Sequence, residues 1–231
     1  SRDKKEEITE LLTNHCQICS QTELNKIKNN LHEACEKGDL ELIKILLSET
    51  IVNETNDLTF KINKTNKTAS LFTINNKKIE HLIVPRTVKH ESEEYLITSI
   101  CWLGCDFSHK LNIKTIKFEE DSSVSTIYSN AFSESKIEEI YFPNSLKELK
   151  EGWCSYTKNL KKIIISPSND QFIFKEDKYL VGKIDNQSEE FDILLFVNRD
   201  IKEFYIPTNI KIISSYAFSQ SKIEEIFIPP N

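Results

Sequence analysis

Ala131-Phe132-Ser133-Glu134-Ser135-Lys136-Ile137-Glu138-Glu139-Ile140 returns as Ala217-Phe218-Ser219-Gln220-Ser221-Lys222-Ile223-Glu224-Glu225-Ile226, identical at nine of ten positions. Chance agreement is roughly one in twenty per position, so the two stretches are copies of one structural unit. Weaker copies surround them, each ending in a short apolar strand, often closed by proline. These strands are His81-Leu82-Ile83-Val84-Pro85, Thr115-Ile116-Lys117-Phe118, Glu139-Ile140-Tyr141-Phe142-Pro143, Lys162-Ile163-Ile164-Ile165, Glu203-Phe204-Tyr205-Ile206-Pro207 and Glu225-Ile226-Phe227-Ile228-Pro229. Their last apolar residues fall at 84, 118, 142, 165, 206 and 228, so the unit is 22–24 residues long with two longer intervals. The longer intervals hold insertions. One contains Glu94-Tyr95-Leu96-Ile97; the other runs from Phe172 to Val197 and predicts a hairpin across a loop at 183–190.

Upstream of residue 50 the period is helical. Ile8, Leu11 and Leu12 share one face, Leu24, Ile27 and Leu31 another, and Leu40, Ile43, Leu46 and Leu47 a third. After residue 50 the period changes to two: Leu58, Phe60 and Ile62 alternate, which predicts a strand meander.

Leu31-His32-Glu33-Ala34-Cys35-Glu36-Lys37-Gly38-Asp39 and the helical run to Leu47 resemble the helix–turn–helix of an ankyrin repeat. The repeat resembles the BspA-like leucine-rich repeat family, the surface-antigen type of parasitic protists. Ile127, Ala131, Phe132, Ile137, Ile140, Phe142, Pro143 and Ser145 fill one unit of that family's pattern, and Ile213, Ala217, Phe218, Ile223, Ile226, Ile228 and Pro229 fill another. Two units depart, with Gly104-Cys105 and Trp153-Cys154 where Ala-Phe is expected. The expected fold is α+β: residues 1–50 an α-helical ankyrin-like segment, residues 51–231 a parallel β solenoid of leucine-rich-repeat type with hairpin insertions. Ile140, Phe142, Ile226 and Ile228 are expected to point inward, with Phe132 and Phe218 packing from the opposite wall. The chain starts at Ser1, lacks methionine, and its array stops at Ile226-Phe227-Ile228-Pro229 without a polar capping unit. A longer natural chain, continuing past Asn231, is the expectation.

Composition narrows the function. Thirty-six Asp and Glu against thirty Lys and Arg give a net charge of −6, spread evenly, which argues against a nucleic-acid surface. Four glycines, with neither GxGxxG nor GxxxxGK[ST], exclude the common nucleotide-binding loops. No run of 18 apolar residues exists, so no membrane insertion is expected within this stretch.

Cys16-x2-Cys19 followed by His32-x2-Cys35 has the residue types of a zinc site. Buried structural cysteines fit better, because His32 and Cys35 occupy the positions that the ankyrin pattern gives to its own histidine and a small core residue. No metal or cofactor is assigned. Cys101-x3-Cys105 misses redox spacing, and His90-Glu91-Ser92-Glu93-Glu94 lacks the second histidine of HExxH and falls in a hydrophilic turn. Four glycosylation sequons, at Asn53, Asn63, Asn66 and Asn186, are close to the number expected by chance. No catalytic constellation is readable, so the chain is expected not to be an enzyme.

The residue between the inward positions of each strand must face the other side of the sheet. Those residues are Ile83, Lys117, Tyr141, Ile164, Tyr205 and Phe227, and they predict a ladder about 24 Å long at roughly 4.8 Å per strand. Its flanking column, His81, Thr115, Glu139, Lys162, Glu203 and Glu225, is polar. Ile83, Tyr141, Ile164, Tyr205 and Phe227 are therefore candidate binding residues. The alternative is that strand-favouring side chains only stabilise the sheet. The family resemblance implies a protein partner and a surface antigen or adhesin. The ankyrin-like unit and the cysteines favour an intracellular, cytoplasmic scaffold instead.

Overall fold

The computed structural model describes residues 57–74, 76, 78–101, 112–184 and 188–230, with the backbone of 51–55 and the single residue Ile43. An antiparallel meander comes first: β1 (Ile51–Thr55), β2 (Leu58–Asn63) and β3 (Thr68–Ile74). Strand β4 (His81–Val84) is followed by a hairpin of β5 (Thr87–His90) and β6 (Glu93–Ile100). Long and short strands then alternate: β7 (Thr115–Phe118), β8 (Thr126–Ile127), β9 (Glu139–Phe142), β10 (Glu148–Leu149) and β11 (Lys162–Ile165). The insertion forms β12 (Phe172–Lys175), β13 (Tyr179–Gly182) and β14 (Ile193–Val197), before the pattern resumes with β15 (Glu203–Tyr205), β16 (Ile212–Ile213) and β17 (Glu225–Phe227).

Two parallel walls result. The first is β4-β7-β9-β11, aligned as His81↔Thr115↔Glu139↔Lys162. The second joins the end of β6 to β8 and β10, with Ile100↔Ile127↔Leu149. After the insertion, β15 pairs β17 and β14 pairs β16, again in parallel. Alternation explains the interior: in β9, Ile140 and Phe142 are buried while Glu139 and Tyr141 are half-buried on the other face. Each short strand buries too little alone, and stacking joins the units into one core from Phe60 to Phe196, with a smaller cluster around Phe204 and Ala217.

The third side is built from turns of one geometry. Asn130, Gly152 and Tyr216 have φ of 58°, 71° and 65°, and four residues on, Glu134, Tyr156 and Gln220 have 57°, 56° and 59°. Between them Ala131, Trp153 and Ala217 donate backbone hydrogen bonds to Tyr128, Lys150 and Ser214 respectively. Trp153-Cys154 thus occupies the Ala-Phe position, with the bulk moved from the second residue to the first. The Trp153 ring meets Phe132 at 6.2 Å, Phe142 at 5.6 Å and Phe196 at 6.5 Å, so it fastens the repeat core to the insertion.

The expected class, α+β, is corrected to a nearly all-strand fold. The described residues form strands and turns, apart from Ile43, which is buried and helical. The ankyrin-like α-helical segment is not present among them, and the rest of 1–50 lies outside the described residues. The insertion holds the expected hairpin, β13–β14, and a second, tight one joins β12 to β13 through Glu176 and Asp177, both at positive φ, so three antiparallel strands result. Two further corrections concern packing. The outward ladder is not continuous, because β4-β7-β9-β11 and β15-β17 are separate sheets. Ile226 and Ile228 are not buried: Ile226 stands in register with the buried Phe204, but the two are 44% and 77% exposed, since among the described residues nothing stacks beyond β17. Ile140, Phe142 and Phe132 are buried as their period requires, and Phe218 packs edge-on against Phe204 at 5.7 Å.

Arg199 crosses the boundary between the two portions. Its buried guanidinium donates to the carbonyls of Thr157 at 3.2 Å, Val197 at 3.3 Å and Ala217 at 2.8 Å, and lies 4.5 Å over the Phe196 ring. Burial lowers its pKa, while Cys154 nearby acts to raise it.

Candidate protein-binding face

In-register pairing sets Ile83 opposite Lys117, and Tyr141 opposite Ile164, on the outer face of the first wall. Ile83 is 59% exposed, and Tyr141 and Ile164 are half-buried. The Lys117 ammonium lies 4.4 Å above the Tyr141 ring, so β7 and β9 are also linked by a cation–π contact. In the polar column, His81 Nδ1 and Thr115 Oγ1 are 2.8 Å apart, and Lys162 pairs with Glu139 at 2.9 Å. Burial raises the Glu139 pKa, but hydrogen bonds from Tyr141 and Lys162 outweigh it and hold the carboxyl below its ordinary value. Tyr205 and Phe227 stand on the separate sheet, 64% and 39% exposed, their rings stacked at 4.3 Å and 7°. The five candidate residues therefore occupy two surfaces.

A groove of about 800 Å³ lies where the row Lys117-Tyr141-Ile164 meets the turns after β7, β9 and β11. Those turns close on themselves: Ser122 N donates to Glu119 O, Leu146 N to Pro143 O and Asn169 N to Ser166 O. Side chains tie them to each other. Asn169 Nδ2 donates to Pro143 O and Leu146 O, both at 2.9 Å, and Ser145 Oγ donates to Val124 O at 2.8 Å. Sequence reasoning passed over this wall. Its signals were the prolines at 143 and 167 just past the strands and the acidic run Glu119-Glu120-Asp121.

The remaining sequence candidates lie elsewhere. Cys16, Cys19, His32, Cys35 and Cys105 lie outside the described residues, as do Asn186 and the Asn53 side chain. His90 and Glu93 pair across the β5–β6 turn, with Glu91 and Ser92 at positive φ between them. Asn63 and Asn66 are exposed at the β2–β3 turn. Among the described residues no group of three His, Cys, Asp or Glu is placed to hold a metal, and no helix is long and apolar enough to cross a membrane.

Stacked units of 22–24 residues with parallel strands, three of them turning through the same positive-φ corner, define a solenoid of leucine-rich type. The BspA type leucine-rich repeat region matches in six copies at residues 104–180 and 168–231, more than half of the chain. The chain belongs to the BspA-type leucine-rich repeat family. Among solved structures it is similar to a leucine-rich repeat protein from Eubacterium ventriosum, with 15% identity over 78% of this chain and 59% of that one, TM-score 0.46. It is also similar to the pneumococcal vaccine antigen PcpA, with 14% identity over 78% of this chain and 50% of that one, TM-score 0.40. A leucine-rich cell surface protein from Faecalibacterium prausnitzii gives 14% identity over 79% of this chain and 71% of that one, TM-score 0.32. The chain thus spans between half and three fifths of the first two. No curated protein matches it.

Proposed function

We propose that this chain is a non-enzymatic protein–protein interaction module, acting at the cell surface as an antigen or adhesin. The observation that supports it is the groove beside Tyr141 and Ile164, whose walls are held by hydrogen bonds within the repeat and so need little ordering on binding. The cell-surface setting rests on what membership of the BspA-type family implies. Panning a displayed protein library on the wild-type chain, and in parallel on a Tyr141→Ser/Ile164→Ser variant, tests the module. Clones that bind the wild type and lose the variant are expected, with circular dichroism unchanged. Clones indifferent to both substitutions would move the site elsewhere. Labelling intact cells with an impermeant reagent tests the location, and an unlabelled chain would remove it.

A further inference from the structure

The groove is charged unevenly. At its β7 end stand Lys117, Glu119, Glu120 and Asp121, while the β11 end is lined by Ile164, Ile165 and uncharged turn residues. Two of the four charges are already engaged. Lys117 is held over Tyr141, and Glu119 Oε2 accepts the Arg86 backbone N–H at 2.8 Å. Glu120 and Asp121 are exposed and have no ion pair or side-chain hydrogen bond among the described residues. The turn that presents them is fixed by its Ser122-to-Glu119 hydrogen bond, with Asp121 at φ 55°. A preformed floor, apolar at Tyr141 and Ile164 and crossed by the Lys117 stem, thus ends in two carboxylates that have no ion pair among the described residues.

We propose that this groove takes an extended segment of a partner protein that carries a cationic side chain close to an apolar one, a refinement that rests on the interaction-module reading. Three strands at about 4.8 Å make a floor about 10 Å across, the span of about three extended residues. In an extended segment residues i and i+2 face the same way. A guanidinium or ammonium at i meets Glu120 and Asp121, and an aliphatic side chain at i+2 covers the Tyr141–Ile164 step. The apolar contact supplies affinity, and the carboxylates select sign and orientation.

The test is fluorescence polarisation with a labelled peptide, Gly-Ser-Arg-Ser-Leu-Ser-Gly, and two relatives with Glu in place of Arg or Ser in place of Leu. Binding of the Arg-Leu peptide is expected to weaken at least about tenfold with Glu120→Lys/Asp121→Lys, and to fall with salt. The Glu-Leu peptide should not bind the wild type. Equal binding of the Arg-Leu and Glu-Leu peptides, or an unchanged affinity in the charge-reversed variant, overturns the inference. Equal binding of the Arg-Leu and Arg-Ser peptides, with full displacement by spermine, overturns it as well, since the site would then read charge alone. If no peptide binds while panned clones still depend on Tyr141 and Ile164, the cationic partner is wrong and the module stands.

Discussion

The Arg199 guanidinium lies 3.8 Å from the Cys154 sulfur, linking the corner before the insertion to the chain just after it. No carboxylate pairs with this buried cation among the described residues; backbone carbonyls surround it instead. Arg199→Leu removes this donor from the Thr157, Val197 and Ala217 carbonyls, of which Ala217 keeps the Val197 N–H. An orphaned acceptor costs about 1–3 kcal/mol, so a loss of about 2 kcal/mol or more is expected. Arg199→Lys should recover only part, because an ammonium cannot reproduce the planar fork. Urea midpoints with unchanged slopes would check this. A wild-type midpoint for the leucine variant would show that the link is not needed.

The Cys154 thiol carries a pH signature. Burial pushes its pKa from 9.0 up to about 12, although Arg199 and Thr157 pull the other way. The folded state therefore holds this proton more tightly than the unfolded state does. Its contribution is intact below pH 9 and declines between pH 9 and 12, where the unfolded thiol ionises first. Cys154→Ala should flatten that part of the stability profile. Iodoacetamide should modify neither Cys154 nor the buried Cys101 before unfolding; rapid labelling of Cys154 in the native protein would contradict its burial.

Trp153 and Phe132 should both be costly to truncate, at about 3–5 kcal/mol for each alanine variant in thermal or chemical melts. The informative variant is Trp153→Ala/Cys154→Phe, which restores the family's Ala-Phe pair. It should stay destabilised, because Phe196 loses its indole neighbour and a ring at 154 collides with Arg199. Recovery to wild-type stability would mean that the insertion does not depend on Trp153.

A gain is expected at the β12–β13 turn. Glu176 and Asp177 hold φ of 54° and 52°, and Lys178 N donates to Lys175 O at 2.9 Å. Two successive left-handed residues define the tight hairpin turn that Asn-Gly prefers. Glu176→Asn/Asp177→Gly should raise stability by about 1 kcal/mol by relieving left-handed strain. A lower melting temperature would show that the acidic side chains contribute more than the backbone strain costs.

The same turn shows where sequence reading stops. Repeat spacing and alternation made the strands legible, because each 22–24-residue unit must present an apolar strand at a fixed place. The pairing of Lys162 to Ile165 with Glu139 to Phe142 follows directly from that count. Left-handed corners were only partly legible: Asn130 and Gly152 mark two of them, but Glu134, Tyr156, Tyr216 and Gln220 hold the same conformation without a residue type that signals it. Periodicity places Ile226 and Ile228 on the inner face but cannot say whether a neighbour covers them. Nor could it show that β11 and β15, 40 residues apart at their ends, are not paired. Of the candidate site, the outward row could be read from alternation. The groove wall could not, because it depends on Asn169 reaching back across 23 and 26 residues to Leu146 and Pro143.

The break between the two sheets has a mechanical consequence. Within each portion, parallel ladders carry load from strand to strand through backbone hydrogen bonds acting together. Across the insertion no strand pairing does so among the described residues, and traction passes through individual side chains: the Trp153 ring on Phe196, Asn198 to the Lys161 carbonyl, Arg199 to the Thr157 carbonyl, and Ser219 accepting from Tyr156 N. A tensile force along the stacking axis would part the molecule at this joint first, leaving the cationic-segment groove intact on one fragment and the Tyr205–Phe227 stack intact on the other.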